Sequence, residues 1–589
     1  MVSGVLAWMA TAAGLVLILV LVTGGFRFEA GPLRVSAHGV TTPLLLMAAA
    51  GVALAWRGSA RALDALRRIF TSVTTHAAAI AVISAAAIAG IGVGFGTYSA
   101  SASDPSAYVS HSALIDSGRL SLDEPLARAV DWHEATWTFS PLGYRPAGAP
   151  GTIVPGYPLG LPLVMAAARR VAGELGPYLV APALAALAVL ATFAIARHVA
   201  SPLAGAIAAV LLASSPIVQL QTVQPMSDVP AMAWWTLALA CAARRTMLAS
   251  AGAGALAAVA VLTRPNLVPL AALVSAVALG WPRAAAASPY EFRRLAACVA
   301  GLVPGVLTLA VFQTRLYGSP LRTGYGDVSD FFAAENIWPN AGDYWRRLTT
   351  GEGPVLVLVM LSIATLVLSR PRAIPAPAAA LGKLATAAAT ILLVLYLPYG
   401  VFPDWSSFRF LMPVLPLAFA ATGAVMADAL ARVPAAARGP ILLASLTLVV
   451  ALNATHAAQQ SAYLLRNYEA RYRTIGRYLA ASMPKDAVIV TSQESGSAHY
   501  YTGLPVLRWD LLAGELETAL ARLRALGRRP VLVVEDWEKP ALRARFPSGP
   551  IASLDWPPRA ETGGTTRVGV WDPADRDRPA ASIITDRLP

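Results

Sequence analysis

Apolar stretches built from Ala, Val, Leu, Ile and Gly recur along the chain, and short polar connectors separate them. Taking about 20 such residues as one bilayer crossing, the pattern predicts about thirteen spans. They fall near 5–22, 39–56, 75–97, 176–198, 202–221, 230–243, 248–263, 266–281, 295–314, 354–369, 382–399, 410–430 and 440–457. Every second connector is basic. Arg57, Arg61, Arg67 and Arg68 follow the second span, Arg244 and Arg245 the sixth, and Arg283, Arg293 and Arg294 the eighth. Arg370, Arg372 and Lys383 follow the tenth, and Arg432 and Arg438 the twelfth. Basic connectors stay in the cytoplasm, so the amino terminus is expected there. Regions 98–175, 316–350 and everything after 458 are then expected on the outer side of the inner (cytoplasmic) membrane.

After residue 458 the pattern changes. "DAVIVT" (486–491) and "PVLVVED" (530–536) read as buried strands, while "GELETALARLRALG" (514–527) and "EKPALRARF" (538–546) read as helices. Strand, helix, strand, helix predicts a small α/β domain outside the membrane. The expected fold class is a polytopic α-helical membrane protein with a small C-terminal extracytoplasmic α/β domain. Three parts follow: an N-terminal hairpin and connector at 1–74, a transmembrane core at 75–458, and the α/β domain with its tail at 459–589.

Composition agrees with the pattern. Of 589 residues 56% are hydrophobic and 13% charged, which is more apolar than soluble domains. The net charge of +13 comes largely from arginines in short connectors, with no compact basic block, so no nucleic-acid partner is expected. Cys241 and Cys298 lie in or beside apolar segments and imply no disulfide framework. No internal repeat of the inverted-transporter kind is evident.

Four charged positions stand out against this background. Asp104 in "SASDPSAYVSH" and Asp228 in "QPMSDVPA" each precede a helix start, where a carboxylate serves either as a cap or as a chemical group. The span count puts both at one membrane face. Arg264 in "LTRPNLVPL" sits among apolar residues beside a helix-breaking proline, and an ionisable group near membrane depth calls for a partner. Arg409 in "PDWSSFRFLMPVLP" lies at the outer end of another span, either snorkelling to the surface, pairing with Asp404 or facing a ligand. Two acids and two arginines at one face point to a site for a phosphorylated substrate. After Asp104, "PSAYVSHSALIDSG" puts Tyr108, His111, Leu114 and Ile115 along one face of a short surface helix.

These stretches, with "VPGYPLGLPLVMA" (154–166), "YGSPLRTGYG" (317–326) and "FRFLMPVLPLAFA" (408–420), resemble the GT-C superfamily of membrane glycosyltransferases. Within it they are most similar to the bacterial protein O-mannosyltransferase and aminoarabinose transferase-like group. "SQESGSAHYYTGLPVLRWD" (492–510) is similar to outer domains of bacterial members. The resemblance covers about residues 75–510, in order. It implies an inverting transfer of sugar from a polyprenyl-phosphate carrier to a lipid, glycan or protein acceptor outside the cytoplasm. It implies Asp104 as general base, Arg264 and Arg409 on the phosphate, and Asp228 orienting the acceptor or helping to hold a divalent cation, Mg or Mn. Many members carry two adjacent acids in the first outer loop, whereas Pro105 follows Asp104 here. Arg322 and Tyr325 are candidates for a cover over the phosphate, and Tyr108 and His111 for substrate contact. "SGSAHYYTG" (495–503) offers either aromatic faces to a glycan or ordinary packing. The rival reading is a flippase that moves lipid-linked sugars without chemistry.

Overall fold

The computed structural model describes residues 60–588 apart from 283–287, 327–330, 369–375 and 402–404. Before residue 60 it describes scattered positions and one hairpin, β1 (Phe26–Ala30) paired with β2 (Leu33–Ala37). The spans expected at 5–22 and 39–56, and Asp404, lie outside the described residues.

Twenty helices of seven residues or more order the described chain. The first are α1 (Ala60–Thr75), α2 (Ala77–Phe95), α3 (Asp104–Asp116), α4 (Gly160–Ala172), α5 (Gly176–Val199), α6 (Pro202–Ser214) and α7 (Pro216–Thr222). Next come α8 (Asp228–Ala242), α9 (Met247–Thr263), α10 (Leu270–Ala278), α11 (Pro289–Tyr317), α12 (Ile337–Gly351), α13 (Gly353–Leu368) and α14 (Ala376–Tyr396). The last are α15 (Leu415–Arg432), α16 (Ala435–Gln459), α17 (Leu465–Ser482), α18 (Ser495–Thr502), α19 (Leu516–Ala525) and α20 (Lys539–Arg545).

Among the described residues six helices are long and apolar enough to cross a membrane: Ala77–Phe95, Gly160–Val199, Pro289–Tyr317, Ala378–Tyr396, Phe408–Arg432 and Ala437–Gln459. The pair α6 and α7 is long and apolar enough only when taken together, and it is bent by 60° at the break. Pro216 stands at the start of α7, where its ring cannot continue the preceding helix. The segments expected as spans at 230–243, 248–263 and 266–281 form helices of 15, 17 and 9 residues, shorter than a full crossing. Pro265 disfavours helical dihedrals at Arg264, and the chain leaves α9 there with φ −144° and ψ 86°.

Small residues let these helices approach closely. A Cβ on Gly254 would lie 1.8 Å from the Cys298 carbonyl oxygen, one on Gly301 2.2 Å from that of Ala251, and one on Gly305 2.3 Å from the Ala258 methyl. Arg245 just before α9 pairs with Glu291 at the start of α11, and Leu262 and Leu316 near their far ends line one cavity, so α9 and α11 are parallel neighbours. The other side of α11 is open: Val299, Val303, Leu307 and Val311 are all exposed. Amphipathic α12 buries Asn340 and Tyr344 and exposes Trp338 and Trp345, an arrangement suited to a membrane surface.

Between α3 and α4 the chain forms a small sheet in the order β3 (Leu122–Asp123), β5 (Thr152–Pro155), β4 (Tyr144–Pro146). Residues after 464 build a separate α/β unit on six strands: β6 (Ala487–Thr491), β7 (Val506–Arg508), β8 (Arg529–Glu535), β9 (Ala560–Thr562), β10 (Val568–Trp571) and β11 (Asp586–Leu588). Their order is β11-β9-β10-β8-β6-β7, with β6 parallel to both β7 and β8. Alternation along β6 sends Val488 and Val490 toward Leu516, Leu520 and Leu523 of α19, and Ile489 toward Ile475 and Leu479 of α17. Helices cover both faces, so "AVIVT" is buried throughout.

Candidate active site

Four element ends meet at one end of the helix bundle. Asp104 opens α3, Asp228 opens α8, Arg264 follows α9, and Arg409 lies in the 3-10 turn Trp405–Val414 before α15. Neither carboxylate is spent on capping its own helix. Asp104 Oδ1 accepts from the Tyr157 hydroxyl at 2.5 Å, and Oδ2 accepts from Arg409 Nη2 at 3.1 Å. Asp228, whose side chain is fully buried, sits 2.9 Å from Arg264 Nη2 and 4.0 Å from Arg409 Nε. Those contacts miss hydrogen-bonding angles: both Asp228 oxygens, and Arg264 Nη1, are buried with no hydrogen-bond partner. Asp104, Arg409, Asp228 and Arg264 thus form a row of alternating charge. Both guanidinium groups also lie over the Phe410 ring, at 5.4 and 5.5 Å from its centroid.

This row borders a cavity of about 430 Å³. Its polar side carries Ser103, Asp104, Tyr108, Tyr157, Ser227, Arg264, Asn266 and Arg409, and its apolar side Leu309, Phe312 and Leu316 of α11. Tyr108 donates to Ser227 at 2.9 Å, tying α3 to the start of α8. Burial and the neighbouring Asp104 charge hold the Tyr157 hydroxyl well above the usual tyrosine range, so it stays protonated as a donor to Asp104.

A strap closes one side. Residues 317–326 leave α11 and pass over the cavity, so that Tyr325 lines it with its ring 5.3 Å from that of Tyr157. Arg145 of β4 donates to the Thr323 and Gly324 carbonyls at 3.0 and 2.8 Å, and the Tyr317 hydroxyl to the Pro155 carbonyl at 2.7 Å. A Cβ on Gly324 would lie 1.9 Å from the Gly156 carbonyl oxygen, a contact that only glycine permits.

The structure brings Asp104, Arg264, Arg409, Tyr108 and Tyr325 to the cavity wall, with Asp228 buried behind the two arginines. Two other sequence candidates stand apart. Arg322 is exposed and does not line the cavity. His111 is completely buried one layer behind it, bonded through Nε2 to the Gly143 carbonyl at 2.9 Å. Burial pushes its imidazole down to about 3, so it is neutral and donates there. Tyr157, Asn266 and Phe410 were not singled out from the sequence. Tyr157 lies inside "VPGYPLG", but nothing in that string distinguishes a ligand-facing tyrosine from a packed one.

A divalent cation fits these residues poorly. Two carboxylates are the only acids in the row, and each faces an arginine. Among the described residues no group of three His, Cys, Asp or Glu gathers to hold a metal. Unpartnered guanidinium N–H at Arg264 and the second arginine beside it suit an anion instead.

No protein-family model and no curated protein matches the sequence. Solved structures do. ArnT from Cupriavidus metallidurans, in the apo state, is similar with a TM-score of 0.51 at 14% identity, over 85% of this chain and 98% of that one. AglB, the oligosaccharyltransferase of Archaeoglobus fulgidus, in complex with an inhibitory peptide and a dolichol-phosphate, is similar with a TM-score of 0.50 at 12% identity. That match covers 85% of this chain and 75% of AglB. Both are GT-C membrane glycosyltransferases.

The chain shares the fold of these two proteins.

At such identities the likeness concerns backbone architecture alone. The helices here bring Asp104 and Asp228 to the end of the bundle that faces the α/β unit, while Arg245 pairs with Glu291 and Arg294 donates to the Ala242 carbonyl at the ends of α8 and α11 where the basic connectors lie.

Proposed function

We propose that the protein is a membrane glycosyltransferase that moves a sugar from a polyprenyl-phosphate donor to an acceptor outside the cytoplasm, with inversion. The observation that carries this reading is the alternating row in the cavity. Arg264 and Arg409 supply positive charge with unsatisfied N–H groups, Asp104 supplies a base, and lipid-facing α11 supplies an apolar wall beside them. A phosphate on a lipid tail matches all three. AglB, which shares the fold, is a complex with dolichol-phosphate, a ligand of this class.

In this reading the donor phosphate lies against the two arginines, and its tail passes along Leu309, Phe312 and Leu316. Asp104 takes the proton of the acceptor hydroxyl as that oxygen bonds to the anomeric carbon. The bond from that carbon to the phosphate oxygen breaks, and its electron pair leaves with the phosphate. Negative charge grows on the phosphate during this step, so the guanidinium groups stabilise the transition state more than the ground state. Tyr157 and Arg409 each donate to one oxygen of Asp104. A phosphate that draws Arg409 away frees Oδ2 to act as base, so donor binding precedes proton removal. Asp228 keeps the two arginines apart and aimed. The basic connectors orient the chain with the site and the α/β unit outside the inner membrane and the amino terminus in the cytoplasm.

The test is transfer from labelled polyprenyl-phosphate sugars in membranes holding native acceptors, comparing wild type with Asp104→Asn at matched expression. Turnover that collapses in the variant supports the reading. Movement of the lipid-linked sugar across the bilayer, with no glycosidic bond formed by wild type, would replace it with a flippase.

A further inference from the structure

The seven residues that deliver Asp104, Thr97 to Ser103, follow a strained path. Tyr98 has φ +45° and Ala102 φ +47°, the left-handed region that residues with a Cβ rarely adopt. Thr97, Ser99, Ala100 and Ser101 are nevertheless buried. Something must hold this segment, and the holding groups come from the C-terminal unit. The Ala100 amide donates to the Tyr501 hydroxyl at 3.1 Å, and Arg473 donates to the Tyr98 carbonyl at 3.3 Å. Arg466 lies over the Tyr98 ring at 5.4 Å.

The same unit presses on the first turn of α3. A Cβ on Gly496 would lie 2.5 Å from Ser106 Oγ and 2.9 Å from the Leu142 carbonyl oxygen, while Ser495 Oγ accepts from the Leu142 amide at 3.1 Å. Gly476 of α17 leaves the space that the Tyr501 ring fills, since a Cβ there would come within 2.3 Å of it. "SGSAHYYT" is thus a buttress beneath the helix that begins with Asp104, and its tyrosines do not line the cavity.

We infer that the C-terminal unit is a positioning device for the Asp104 carboxylate, and that Tyr501, which accepts the hydrogen bond of the Ala100 amide, is its principal positioning residue. Tyr501 touches no reacting atom; it acts through the strained segment. The catalytic arm of this inference rests on the proposed function.

Tyr501→Phe keeps the ring and removes only the hydroxyl. In the transfer assay kcat should fall about tenfold, with donor KM and the thermal unfolding midpoint in detergent unchanged. Gly496→Ala should repeat that pattern by pushing on Ser106 instead. A readout independent of turnover is alkylation of Asp104→Cys by a water-soluble maleimide, corrected for Cys241 and Cys298, which Tyr501→Phe should accelerate severalfold. Unchanged kcat and unchanged alkylation would overturn the inference. So would activity that falls only in step with the unfolding midpoint, which marks ordinary packing. If wild type turns over no donor, the function is wrong, and the alkylation rates alone decide the positioning.

Discussion

Arg409 Nη2 reaches Asp104 Oδ2 at 3.1 Å although 305 residues separate them in the chain. The pair ties the helix that opens the first large outer region to the turn that precedes α15. It also places the proposed base and a proposed phosphate ligand in direct competition for one another.

That competition has a measurable consequence. Removing the Asp104 charge frees Arg409 for the donor phosphate. Asp104→Asn should therefore bind undecaprenyl phosphate more tightly, by about fivefold, while losing transfer. Equilibrium binding of the radiolabelled lipid to purified protein reads the first effect. Weaker binding by the variant would contradict the competition.

Arg264 and Asp228 are linked more by stability. Asp228 is wholly buried, so Arg264→Ala leaves it facing only the more distant Arg409 and should cost about 3 kcal/mol. The double variant Arg264→Met with Asp228→Leu removes both charges and should recover most of that loss without recovering activity. Thermal unfolding of the three proteins, beside transfer rates, separates the structural role from the chemical one.

The strap makes a third prediction. Gly324→Val sets a side chain against the Gly156 carbonyl and should lift Tyr325 from the cavity. Donor KM is expected to rise with little change in the unfolding midpoint, because the strap is a surface segment. Arg145→Ala removes the two bonds to the strap carbonyls and should act in the same direction. Donor titrations of both variants give the check.

Acidity of the C-terminal unit supplies a fourth. Glu494 is buried with both oxygens unpartnered, near Glu535, Glu538 and the single arginine Arg471. Burial, with the Glu535 charge second, holds Glu494 well above the usual carboxylate range, and burial raises Glu538 to about 7. For a carboxyl raised from an ordinary value of 4.5, the protonated form is the one favoured in the fold. Its contribution is complete below that value and is lost as pH rises through about 7. The unfolding midpoint of this unit should fall between pH 5 and 8, and Glu494→Gln should flatten part of the slope. A midpoint that rises over this window would reverse the assignment.

Much of this architecture is legible locally. Hydropathy runs mark α2, α5, α11, α14, α15 and α16, because lipid and core impose one rule on twenty residues at a time. "DAVIVT" and "PVLVVED" mark β6 and β8 for a similar reason, since both faces of each strand are covered. Between them α18 and β7 are short and carry no clear period that would mark them. Breaks were harder still: the run 202–221 hides a 60° bend, and three expected spans became shorter helices around Arg264 and its prolines.

Within the site, the sequence by itself determined that carboxylates stand at two helix starts and arginines at two breaks, because capping and proline chemistry act over a few residues. Whether those carboxylates capped their helices was decided only by the tertiary structure, which supplied Tyr157, Arg409 and Arg264 as partners from distant segments. The same packing withdrew His111 behind Tyr144 and turned "SGSAHYYT" into a buttress. Local sequence encodes what a side chain offers, but which offer is taken depends on the groups that long-range packing brings within 3 Å or so of it.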